Sequence, residues 1–139
     1  MQILLIEDDA GDIRLMQEVL KRRQTPTQLH SVRDGAKAMR YLRQESGYEN
    51  ATRPHLILLD LNLPDRSGHS VLAEIKDDDD LKRIPVLVLS TSEAEGDIVQ
   101  AYNLQANSYM TKPIDLPGFR EVVRAIEDYW FKRAKLPPR

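Results

Sequence analysis

Short apolar runs that end in polar residues set the limits on how this chain can fold. Ile3-Leu4-Leu5-Ile6 runs into Glu7-Asp8-Asp9, Leu56-Ile57-Leu58-Leu59 runs into Asp60, and Val86-Leu87-Val88-Leu89 runs into Ser90. Unbroken apolar runs of this length suit strands buried on both faces, as in a parallel sheet, rather than strands with one wet face. Weaker strands are expected at Gln28–Val32 and at 108–110. Helical spacing fills the gaps: Ile13, Met16, Leu20; Ala36, Ala38, Met39, Leu42; Val71, Leu72, Ile75; and Ile98, Ala101, Tyr102. The longest stripe is Phe119, Val122, Val123, Ile126, Tyr129 and Trp130, at the spacing of one helix face. Strand then helix, five times over, predicts an α/β fold, a doubly wound (βα)5 unit with helices on both sides of a parallel sheet.

Composition narrows the function classes. The 139 residues make one ordinary domain with a sizeable core, and 41% hydrophobic against 30% charged residues is a globular balance. Apolar runs stop at about five residues, far below the roughly 20 that span a bilayer. The N-terminus meets acids at once and has no basic leader, so a cytoplasmic protein without membrane contact is expected. There is no cysteine, which removes disulfides, thiolate metal sites and thiol nucleophiles. A net charge of −2 gives no electrostatic case for nucleic acid as a partner.

In an open α/β sheet the ligand crevice lies outside the carboxyl ends of the strands. There the expected strands deliver Glu7-Asp8-Asp9, Asp60, Ser90-Thr91-Ser92 and Thr111-Lys112-Pro113. Crowded carboxylates repel one another unless a cation intervenes, and a hard divalent ion with oxygen ligands answers that need. A lysine adds positive charge and a hydroxyl adds a donor. The set suits phosphoryl transfer to a carboxylate. One acid after a strand is ordinarily a helix cap, and one Lys-Pro is ordinarily a turn. The conjunction at four strand ends carries the inference.

These residues resemble the receiver domains of two-component response regulators. The resemblance rests on Ile6-Glu7-Asp8-Asp9, on Leu58-Leu59-Asp60-Leu61-Asn62-Leu63-Pro64 with Gly68, on Ile84-Pro85 with the run to Ser90, and on Ala106-Asn107-Ser108-Tyr109-Met110-Thr111-Lys112-Pro113. It implies a flavodoxin-like sheet of order 2-1-3-4-5 and assigns roles by position. Asp60 is implied as phosphoacceptor, and Asp8 as direct metal ligand beside it. Glu7 is implied to act through water, and Asn62 to offer its backbone carbonyl. Lys112 and Ser90 are implied to bind phosphate, with Ser90 and Tyr109 as the switch pair and Mg²⁺ as the ion. The family also implies a cis peptide before Pro113. Glu7 stands where aspartate is commoner, Ser90 where threonine is commoner, and Thr91 where alanine is common, which should narrow the approach to Asp60. The implied partner is a sensor histidine kinase. The tail, the long connection 44–54 and Asn107-Ser108-Tyr109 resemble the regulators that pair with bacterial phytochromes, and imply a homodimer. Tyr102, Asn107, Tyr109, Trp130 and Phe131 are the candidate dimer or partner face.

A receiver over 1–132 and a short tail over 133–139, with no output domain, is the expected organisation. Asp77-Asp78-Asp79-Asp80 reads as a solvated loop, since neither glycine nor spaced ligands follow as in a calcium loop. His30, His55 and His69 lack zinc spacing and are expected at the surface. Lys132-Arg133-Ala134-Lys135 reads as a solvated helix end. Three successive aromatics, Tyr129-Trp130-Phe131, cannot share one helix face; Trp130 is expected to extend the apolar stripe and Phe131 to point elsewhere. Two rival functions remain. One is an aspartate-nucleophile phosphohydrolase, which would want a second acid where Asn62 stands. The other is a pseudo-receiver that only binds.

Overall fold

The computed structural model describes residues 1–23 and 26–138. The strands are β1 (Gln2–Ile6), β2 (Gln28–Val32), β3 (Leu56–Leu59), β4 (Val86–Ser90) and β5 (Ser108–Thr111). The helices are α1 (Ala10–Arg23), α2 (Gly35–Arg43), α3 (Gly68–Asp77), α4 (Glu95–Asn103) and α5 (Leu116–Ile126). All strand pairs are parallel and the order is β2-β1-β3-β4-β5, as expected.

Alternate residues of each central strand serve opposite cores, because successive side chains point to opposite faces. Leu4, Ile6, Ile57, Leu59, Val86 and Val88 pack with α2 and α3 on one side. Ile3, Leu5, Leu56, Leu58, Leu87 and Leu89 pack with α1 and α5 on the other. Both faces are buried, which is why the strands read as unbroken apolar runs. Among the described residues no helix is long and apolar enough to cross a membrane.

Several local expectations need correction. The α5 stripe does not run on as regular α-helix: Glu127–Phe131 forms a turn of π-helix. The wider turn shifts the phase of the side chains. Trp130 and Phe131 therefore both pack against the α1–α5 core, whereas Tyr129 is 57% exposed and meets Trp130 edge-on. Glu127 is buried here and pairs with Arg23 of α1. His69 is buried rather than superficial, because the first turn of α3 faces α4, and its Nε2–H donates to Asp97 O at 3.0 Å. His30 and His55 are half-buried, and His55 Nδ1 accepts from Gln2 N–H. No cis peptide occurs among the described residues, so the bond before Pro113 is trans. That is the intrinsically preferred isomer, by about 0.5–1 kcal/mol.

The acidic run is largely neutralised by its neighbours. Asp78 accepts from Asp80 N–H and Leu81 N–H, Asp80 pairs with Arg53 and Arg83, and Asp79 pairs with Lys82. Arg139 of the expected tail lies outside the described residues.

Candidate functional site

Backbone pairing sets the acids side by side. Glu7 N–H donates to Val32 O and Asp60 N–H donates to Ile6 O, each at 3.0 Å, so both acids sit one residue past their strands. Glu7, Asp8 and Asp60 can bring one carboxylate oxygen each to within 4.8 Å of one another. Glu7 and Asp60 are 2% and 4% exposed, and Asp8 is half-buried. Lys112 N–H donates to Ser90 O, which extends the β4–β5 ladder and aims the lysine inward. Its Nζ lies 2.5 Å from Glu7 Oε1 and 3.1 Å from both Asp60 Oδ2 and Asp12 Oδ2.

The electrostatics are lopsided. Burial raises the Glu7 carboxyl to about 8, aided by the Asp60 carboxylate; the lysine opposes the shift without cancelling it. Burial also pulls Lys112 down, but the hydrogen bond to Glu7 and the charges of Glu7 and Asp60 hold the ammonium above its ordinary value. One cation thus faces several carboxylates in a pocket of oxygen donors. A hard divalent cation fits that donor set; soft or thiolate-seeking ions do not.

The remaining predicted residues separate into groups. Asn62 follows Asp60, with an exposed side chain, and its N–H donates to Asp60 Oδ1 at 3.2 Å. Gly68 opens α3 against this turn: a Cβ there would lie 2.3 Å from Asp60 O, so only glycine lets the two backbones approach. Ser90 is fully buried at the end of β4, and its Oγ accepts from Ser92 N–H at 3.1 Å. Among the described residues no side-chain hydrogen bond joins Ser90 to Asp60 or Lys112. Tyr109 is half-buried; its hydroxyl donates to Ser92 O at 2.8 Å and its N–H donates to Tyr102 OH at 3.2 Å.

Tyr102 and Tyr109 therefore belong together at the β5 edge. Phe131 does not join them: it lines a small cavity with Met1, Arg23 and Pro26, near the starts of β1 and β2. Asn107 uses its side-chain oxygen internally, accepting from Val86 N–H at 2.9 Å.

Sequence reasoning missed three contributors. Asp12 pairs with Lys112, and its signal was its place in the first turn of the helix that follows Asp8. Arg33 donates to Asp8 O. Asp65 accepts from Gly35 N–H and Ala36 N–H, closing the start of α2 from another loop. Neither Arg33 nor Asp65 carries a periodic signal, because each acts across the fold.

Comparison with known proteins agrees with this geometry. The profile of the response regulator receiver domain matches residues 3–124. Response regulator Rcp1 of Synechocystis sp. (strain ATCC 27184 / PCC 6803 / Kazusa) is 50% identical over 135 residues, which cover 97% of this chain and 92% of Rcp1. The crystal structure of the Mn²⁺-bound form of Rcp1 matches with a TM-score of 0.90 over 99% of both chains. The phosphorylated cyanobacterial phytochrome response regulator RcpA is 53% identical, with a TM-score of 0.92 over 99% of this chain and 98% of RcpA.

Proposed function

Given that this chain belongs to the response regulator receiver family and is a phosphorylation switch of two-component signalling, we propose that Asp60 receives the phosphoryl group, with Mg²⁺ beside it and a sensor histidine kinase as donor. The observation that carries this is Lys112 Nζ 3.1 Å from Asp60 Oδ2, with Glu7 and Asp8 closing the same pocket. The protein is not a conventional enzyme; its only catalysis concerns its own phosphoryl group.

Asp8, Asp60 and the backbone carbonyl of Asn62 are the proposed direct ligands, with Glu7 acting through water. The ion supplies charge neutralisation at the phosphoryl oxygens, and its preference for oxygen and water suits this donor set. Asp60 is the nucleophile: a P–O bond forms on its carboxylate as the P–N bond of a phosphohistidine breaks and the imidazole leaves. Lys112 is held charged by its acidic neighbours and neutralises the incoming oxygens. The phosphoryl group brings about −2 of charge and strong acceptors, giving Ser90 Oγ something to bond that it lacks beforehand. Ser90 turning toward it releases Ser92 N–H, and Tyr109 loses its fixed acceptor when the Ser92 peptide moves.

The likeness to RcpA supports a phytochrome-type kinase as the partner. A homodimer through the Tyr102–Tyr109 edge is the proposed assembly; Tyr102 is 49% and nearby Val99 56% exposed. A cytoplasmic location and a receiver over 1–132 with a tail over 133–139 complete the proposal.

The test is incubation of wild type and Asp60→Asn with acetyl phosphate and Mg²⁺, read by intact mass. One added phosphoryl group on wild type and none on the variant is expected. An unlabelled wild type, or equal labelling of both, would sink the reading. Sedimentation before and after labelling tests the dimer, and a monomer under both conditions removes it.

A further inference from the structure

Asp8 is the least anchored member of the acidic cluster. Glu7 is buried with Oε1 2.5 Å from Lys112 Nζ, and Asp60 is buried and tied to the sheet. Asp8 lies past the end of β1, half-buried, and among the described residues its carboxylate makes no hydrogen bond or ion pair. With no such partner, its placement depends on how its backbone is held. That backbone has an unusual partner. Arg33 Nη2 donates to Asp8 O at 2.6 Å, and Arg33 Nε donates to the same oxygen at 3.2 Å. Arg33 is exposed and, among the described residues, pairs with no carboxylate. An exposed arginine has water for all its donors, and fixing its long side chain costs entropy. Here two donors of the fork are spent on one peptide oxygen.

The surroundings extend the pattern. Arg33 directly follows Val32, whose carbonyl accepts from Glu7 N–H. Two residues later, Gly35 N–H and Ala36 N–H donate to Asp65 at 2.8 and 2.9 Å, three residues after Asn62. The β2–α2 junction thus grips both loops that carry the acids: one through Arg33, the other through Asp65.

We propose that Arg33 is a positioning residue for cation binding, which fixes the Asp8 peptide so that its carboxylate faces Asp60. This rests on Asp8 being a metal ligand. The alternative is that the guanidinium acts mainly as a nearby positive charge. The two predict opposite signs: loss of a clamp weakens cation binding, whereas loss of a like charge tightens it.

The experiment is calorimetric titration of Mg²⁺ into wild type, Arg33→Ala, Arg33→Gln and Arg33→Lys, with thermal unfolding in chelator to check folding. About tenfold weaker Mg²⁺ binding is expected in Arg33→Ala, the low end for residues that orient a ligand from behind. Arg33→Gln keeps one donor without charge and should fall between. The Mg²⁺ concentration for half-maximal labelling by acetyl phosphate should shift by the same factor, while the rate at saturating Mg²⁺ is retained; a purely structural loss would lower that rate instead. Binding unchanged within about twofold, or tighter, in Arg33→Ala overturns the inference while the reading of Asp8 stands. If Arg33→Ala unfolds, Arg33→Gln decides by the same criterion. Absence of Mg²⁺ binding in wild type overturns the assignment of Asp8 and the inference with it.

Discussion

α3 and α4 are neighbours on the same side of the sheet, yet they are attached in different ways. α3 is capped by Ser67, whose Oγ accepts from Ser70 N–H, and it buries Gly68, His69, Val71, Leu72 and Ile75. α4 is preceded by Ala94, which gives no side-chain cap, and it buries only Ala101. Single polar contacts hold its first turn: Ser92 Oγ to Asp97 Oδ2 at 2.5 Å and His69 Nε2 to Asp97 O at 3.0 Å. Tyr109 OH to Ser92 O holds the loop before it. Elements with few apolar contacts open at low free energy, and moving parts are drawn from them. The helix beside Asp60 is thus held by a buried apolar face, and the helix beyond Ser90 by a few polar contacts.

The fixed half should respond most steeply to conditions, because it carries the buried charge. Burial favours the protonated Glu7 carboxyl up to about 8 and a nearby cation favours its ionised form, so Mg²⁺ affinity should rise with pH toward that value and then level off. In the metal-free protein the sign is reversed. A folded-state value raised from 4.5 contributes stability below the unfolded value and loses it as pH climbs through about 8. Glu7→Gln should flatten both curves, by calorimetric titration and thermal melts across pH.

The next effect comes from one substitution placed in each helix. Gly68→Ala forces a Cβ against the Asp60 backbone and should destabilise by about 1–3 kcal/mol, with loss of acetyl phosphate labelling. Gly96→Ala, with nothing within 4 Å of its Cβ in α4, should instead stabilise by about 0.4–1 kcal/mol. Equal signs in denaturant unfolding would break the contrast between the helices.

Caps sharpen it further. Ser67→Ala should cost about 1 kcal/mol, and Ala94→Ser should return a similar or smaller amount while slowing hydrogen exchange in α4. The smallest expected effect is kinetic. Thr91 is exposed beside the pocket, and Thr91→Ala should speed labelling by acetyl phosphate by about two- to fivefold, under 1 kcal/mol of barrier; equal rates would show that this side chain does not obstruct the approach.

The sheet was legible because burial on both faces leaves an unmistakable mark, and its order came with the family resemblance. Asp60, Glu7, Asp8 and Lys112 were legible because each ends a strand, and strand ends meet at one edge of the sheet. Arg33, Asp65 and His69 were not. Each bonds a main-chain group contributed by another segment, and a peptide group carries no residue-type signal. The π-turn escaped for a different reason. It moves Tyr129 off the core and brings Phe131 onto it, a phase change that a fixed helical period cannot express.

The unbroken apolar strands carry a cost in specificity. When one face of a sheet is wet, a one-residue slip exposes the whole apolar set and is self-correcting. Here β3 is Leu-Ile-Leu-Leu with apolar surroundings on both faces, so sliding it by one residue would hardly change the hydrophobic pattern. What would change is Asp60, drawn from the rim into the place of Leu59, at a cost of several kcal/mol for a buried charge out of reach of its partners. A slipped register of β3 therefore carries a penalty at Asp60 that a neutral replacement there should reduce.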